Sequence, residues 1–218
     1  MDRFFNVNNP VMRSLSTMVD LAIVNLMTVL FAVPIITAGG AFSSMNYVLL
    51  HLYRNEEGYL HKMFLKSFKD NFRQGVVLGL LVIVIGVVTA ADLWVLRSMN
   101  SKATTALMVV ITVVAVYLLT TSVYAFALQS RYENTVTGTI ANAFRLSIAH
   151  LPRTIGMMIT WILWILTLWY LHKAALLAFL LYGFTLPGYM CMILYEPIFR
   201  SMENNNDQEV NLQDREQS

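Results

Sequence analysis

Three apolar runs limit what this chain can fold into: "VVLGLLVIVIGVVTAA" (76–91), "ALMVVITVVAVYLL" (106–119) and "IGMMITWILWILTLWYL" (155–171). They are too long and too unbroken for the core of a soluble domain of 218 residues. About 20 consecutive apolar residues are what a helix needs to cross the hydrocarbon of a bilayer. Charge agrees: 13% of the residues are Asp, Glu, Lys or Arg, about half the usual share in soluble domains. Mean hydropathy is +0.58. The expected fold is all-α, a polytopic membrane helix bundle of five to six transmembrane helices with amphipathic interfacial helices. Residues 1–202 form one membrane domain, and the polar, acidic 203–218 is expected to be a disordered cytoplasmic tail.

Five apolar segments stand out: Met18–Ile36, Gly75–Leu96, Thr104–Gln129, Ile155–Leu171 and Ala174–Phe199. The first has spanning length and follows a polar start, so it reads as a retained anchor and not a cleaved leader. A sixth, "TAGGAFSSMNYVLLHLY" (Thr37–Tyr53), would rise only about 26 Å against about 30 Å of hydrocarbon. It also carries Ser43, Ser44, Asn46 and His51. Charge favours letting it cross. Of the 15 Lys and Arg residues, only Arg97, Lys102 and Lys173 then lie on one side, a split of twelve to three, whereas five spans give ten to five. The positive-inside rule selects the more lopsided arrangement, with both termini cytoplasmic.

Two patterns recur along this layout. Arginine followed shortly by glutamate closes three segments: Arg54 and Glu56, Arg131 and Glu133, Arg200 and Glu203. A stretch mixing aromatic and basic residues precedes three spans: Phe4 to Arg13, Phe64 to Arg73 and Phe144 to Arg153. Three helical hairpins in series account for both, and so does arginine marking any cytoplasmic helix end. In the middle stretch, at 100° per residue, Lys62, Lys66, Lys69 and Arg73 form one narrow stripe. Leu60, Met63, Phe64 and Phe68 cover the other side. The pattern predicts a helix lying in the membrane surface, rings in the acyl boundary and lysines among anionic headgroups, with Gly75 allowing the turn into the next span. The lipid bilayer is its first partner. The alternative use of the stripe, together with Arg131, Arg145 and Arg153, is contact with a cytoplasmic protein.

Chemistry-bearing motifs are absent. There is no phosphate-binding Gly-rich loop, no His-Glu-x-x-His helix and no Cys-x-x-Cys pair. A single cysteine, Cys191, excludes an internal disulfide. No cofactor, metal or nucleic-acid partner is expected, and the chain reads as non-enzymatic. Ionisable residues inside spans are functional candidates by default. Asp20 and Asp92 fit that description, with Asp92 expected to pair with Arg97 at the outer rim. Asn25 lies deeper and is placed to bond across helices. Gly75 and Gly79 in "GVVLG" allow close helix packing, either inside the protomer or in a homo-oligomer. Pro34 and the pair Pro187–Gly188 are expected to end or kink the first and last spans.

Several stretches together resemble the YesL family of bacterial membrane proteins of uncharacterised function. They are "VPIITAGGAFSSMNYVLLHLYRNEEGYL", "FLKSFKDNF", "YAFALQSRYENT", "NAFRLSIAHLPRTI" and "LYEPIF". Ala127 stands where that family tends to carry proline. The resemblance implies an accessory or regulatory role in carbohydrate uptake, beside an ABC-type importer, because members are often encoded next to such importers. It assigns no active residue. The rival expectation, from a different class, is a small stand-alone solute transporter or channel.

Overall fold

The computed structural model describes residues 10–56, 58–99, 101–132 and 134–216, and the side chains of all of these except 10–13, 173 and 204–216. Arg3, Glu133 and the stretch before Pro10 therefore lie outside the described residues. Among the described residues eight α-helices follow one another: α1 (Pro10–Ala32), α2 (Ala38–Arg54), α3 (Leu60–Arg97), α4 (Lys102–Arg131), α5 (Val136–Ala149), α6 (Leu151–Leu171), α7 (Ala175–Tyr182) and α8 (Thr185–Glu216). Short 3-10 turns at Ile35–Thr37 and His172–Ala174 link α1 to α2 and α6 to α7. Five helical stretches are long and apolar enough to cross a membrane, and α7 with α8, bent by 49°, makes a sixth if counted as one span. The fold is an all-α polytopic membrane bundle.

Its surface is apolar where a soluble protein's is polar. Val84, Val110, Leu163 and Trp169 are all exposed, on three different helices. The interior holds Asn25, Thr28, Ser43, Ser44 and Thr154 at 0% exposure. With lipid outside, polar side chains lose least by facing one another. That explains α2. Its serines and asparagine face protein and not hydrocarbon: Ser43 donates to Gln129 Oε1 at 2.8 Å, and Asn46 Oδ1 accepts from the Tyr195 hydroxyl at 3.0 Å. The segment hardest to place by hydropathy is the most buried of the candidate spans. It ends at Asn55, whose left-handed conformation (φ 55°) asparagine tolerates better than most residues.

Helices α2 and α3 meet through glycine. A Cβ added to Gly39 would lie 1.8 Å from the Gly75 carbonyl oxygen, and one on Gly79 would lie 2.9 Å from Gly39. No side chain fits at this crossing. The Gly-x-x-x-Gly pair thus serves packing inside the protomer, while Gly86 faces open space.

Two expectations are corrected here. Helix α3 does not turn at Gly75 but runs unbroken for 38 residues, about 57 Å. The basic stretch is therefore a coaxial extension of the span and not a separate in-plane helix. Its aromatic side packs on protein: Phe64 is 0% exposed, and Phe31 lies 5.6 Å and 4.9 Å from the rings of Phe64 and Phe68. The glycine expected to turn the chain is held against Gly40 instead. The last span breaks at Gly183–Phe184, not at Pro187–Gly188. Pro187 sits in the first turn of α8, where it costs no hydrogen bond. Helix α8 runs to Glu216.

Candidate functional site: an ion network and a polar cavity at the basic end

At the break between α7 and α8, freed backbone groups need partners. Asn25 supplies four of them. Its Nδ2 donates to the carbonyls of Phe179 and Leu180 at 2.9 and 2.8 Å, and its Oδ1 accepts from the N–H of Phe184 and Thr185 at 2.8 and 3.2 Å. The Trp164 indole donates to the Gly183 carbonyl at 2.9 Å. Asn25 does bond across helices, as its depth suggested, and its work is to let the chain bend inside the bundle.

The ionisable centre lies elsewhere. Glu196 on α8 is 3% exposed. Arg54, at the end of α2, donates from Nε to Glu196 Oε1 and from Nη2 to Glu203 Oε2, both at 3.0 Å. Arg131, at the end of α4, donates from Nη2 to Glu196 Oε2. Two arginines from different helices thus share one buried carboxylate, and Glu203 balances the second positive charge. The Arg131 guanidinium also lies 4.5 Å from the centroid of the Phe199 ring. Its Nη1 is buried without a hydrogen-bond partner among the described residues, so the ring's negative face is the partner it has. Tyr132 stands beside Glu203; burial first, and then that carboxylate, push its phenol up, which keeps it neutral.

Glu196 lies within the apolar segment Ala174–Phe199, so the sequence inventory of intramembrane acids, Asp20 and Asp92, missed the one that matters most. A signal was present. The Arg-Glu recurrence puts Arg54 and Arg131 at the same end of the molecule, and two converging cations, one of them buried, call for a shared anion. The structure brings those two arginines together and leaves Arg200 exposed. Glu56, the first glutamate of the recurrence, pairs instead with His51 at 3.2 Å.

The other predicted residues are scattered. Lys62, Lys66, Lys69, Arg73 and Arg145 are exposed, and Arg153 is half-buried. Arg131, grouped with them as a contact residue, has a side chain only 5% exposed and is committed to Glu196. It cannot reach a partner without breaking that pair. Asp92 and Arg97 are both exposed, and among the described residues no ion pair joins them. They are five positions apart, a spacing that does not bring side chains together on a helix. Among the described residues no group of three His, Cys, Asp or Glu side chains could hold a metal ion.

Bordering the ion network at Arg131 is a polar cavity of about 730 Å³, between α2, α3, the end of α4 and the turn leading into α5. Tyr47, Lys66, Asp70, Asn71, Gln74 and Gln129 line much of it. A second, apolar pocket of about 280 Å³ opens between α4 and α6.

Fold and site together define a polytopic helical membrane protein whose helices are tied at one end by a buried ion network. The family described as "Protein of unknown function, DUF624" matches residues 21–93, a third of the chain. That stretch contains the Gly39–Gly75 crossing, Arg54 and the basic face of α3. Neither a search of curated proteins nor one of solved structures finds a match.

Proposed function

We propose that this chain is a non-enzymatic accessory or regulatory protein of the bacterial cytoplasmic membrane, of the YesL type, serving an ABC-type carbohydrate importer. The observation that carries the reading is the basic extension of α3. It is a rigid helix continuing about 15 residues beyond the apolar run, with Lys62, Lys66, Lys69 and Arg73 all exposed along it. A rigid, predominantly basic surface suits docking to an acidic partner more than chemistry, since it gives orientation and fast association without a reactive group. Arg145 on α5 adds to the same charge. The family match spans the first two of the stretches that carry the YesL resemblance, 33–60 and 64–72.

Affinity purification in mild detergent tests this. Importer subunits should accompany the wild-type protein. They should be lost when Lys62, Lys69 and Arg73 are changed to Glu, while the variant still inserts and elutes as a folded protein. Solute flux through vesicles containing the purified chain alone would instead establish a transporter.

A further inference from the structure

The cavity beside α3 borders the ion network through Arg131, whose Nη2 is held by Glu196, and its lining is chemically uneven. Three of its side-chain amide nitrogens are committed to the protein. Asn71 Nδ2 donates to the Ser67 carbonyl at 3.1 Å, Gln74 Nε2 to the Asn134 carbonyl at 2.9 Å, and Gln129 Nε2 to the Asn71 carbonyl at 3.0 Å. The side-chain oxygens of Asn71 and Gln74 accept nothing from the described residues. Lys66 and Asp70 are one turn apart, a spacing that puts them on one face, yet no ion pair joins them. Apart from Arg131, already held by Glu196, the wall therefore presents one ammonium, one carboxylate and free amide oxygens. A matching ligand carries one anionic group for the lysine and several hydroxyl hydrogens for the oxygens.

Position narrows the choice. Residues 66–74 immediately precede Val77, Leu80 and Leu81, where the exposed apolar belt of α3 begins. The cavity thus opens at the level where headgroups meet hydrocarbon, and its volume suits a small organic ligand. We propose that it binds a phosphate ester bearing free hydroxyls, with Lys66 on the phosphate and Asp70, Asn71 and Gln74 accepting from the hydroxyls. Such a group reaches the site either as the headgroup of a lipid such as phosphatidylglycerol or as a soluble polyol phosphate. This site is independent of the importer reading.

The test is native mass spectrometry of the purified full chain released from micelles containing equal phosphatidylglycerol and phosphatidylcholine, with calorimetric titration of glycerol phosphate as a second arm. Phosphatidylglycerol should be retained preferentially. Lys66→Gln and Asp70→Asn should each weaken its retention about tenfold, the loss expected for one charge-assisted hydrogen bond. Lys66→Arg should retain it. Both target side chains are exposed and unpaired in the protein, so unchanged thermal melts should accompany the loss. Binding of glycerol phosphate with the same sensitivity to these variants, without lipid enrichment, would assign the soluble source. No lipid preference together with no glycerol phosphate binding would overturn the proposal. So would an equal loss in Lys62→Gln, outside the cavity, because that is what unspecific surface attraction gives.

Discussion

Glu196→Ala should be the most damaging single substitution in this protein. It leaves Arg131, with a side chain 5% exposed, facing no carboxylate, and removes one of two partners of Arg54. Breaking a buried pair by deleting one member costs about 3–5 kcal/mol, because the surviving charge stays desolvated. Glu196→Gln should fall in the same range, since it keeps the shape and loses the charge. The informative companion is the double variant Glu196→Leu with Arg131→Met. Replacing a buried pair by apolar side chains of similar volume is often neutral or stabilising, so it should recover most of the loss. Arg54 still holds Glu203 in that background. Reversible unfolding in mixed micelles, or thermal melting followed by size exclusion, gives the ranking. If Glu196→Ala melts with the wild type, the network does not hold the bundle together.

Gly39→Ala should come close behind. Overpacking an ordinary core costs roughly 1–3 kcal/mol, and the obstacle there is usually a side chain that can move. At Gly39 it is the Gly75 carbonyl, at 1.8 Å from the added carbon. Helices α2 and α3 would have to separate, and the Ser43–Gln129 bond beside the crossing would go with them. Gly79→Ala, 2.9 Å from Gly39, should be milder, and Gly86→Ala, in open space, should be neutral or slightly stabilising through better helix propensity. The order Gly39, Gly79, Gly86 in melting temperature is the expected result. An equal effect at all three would mean that the crossing is looser than it looks.

What could be read from the sequence followed from composition and period. Apolar run length locates the spans, and depth marks Asn25 as a cross-helix donor. The rest needed partners distant in sequence. "GVVLG" alone does not say whether glycine ends a helix or lets another approach; Gly39 and Gly40 decide that, and they belong to another helix. The aromatic face of α3 suits lipid or protein equally well, and Phe31 on α1 settles it. The break at Gly183–Phe184 occurs where Asn25, near the other end of the chain, satisfies its amides and carbonyls, so the nearby proline misleads. Glu196 was hidden because apolar neighbours on both sides made its segment read as a plain span. Only the convergence of Arg54 and Arg131 explains why a carboxylate is tolerated there.

Both the docking surface and the twelve-to-three charge split require the basic end of the bundle to face the cytoplasm. Cys191 is the sole cysteine and is buried, so a Cys191→Ala background suits single-cysteine mapping with an impermeant maleimide. In intact cells Ser101→Cys should be labelled, while Ser14→Cys, Lys62→Cys and Ser201→Cys should react only after lysis. That pattern requires α2 to cross. Labelling of Lys62→Cys in intact cells would contradict the orientation outright, and labelling of Ser14→Cys with Lys62→Cys protected would leave α2 on one side and reduce the bundle to five spans.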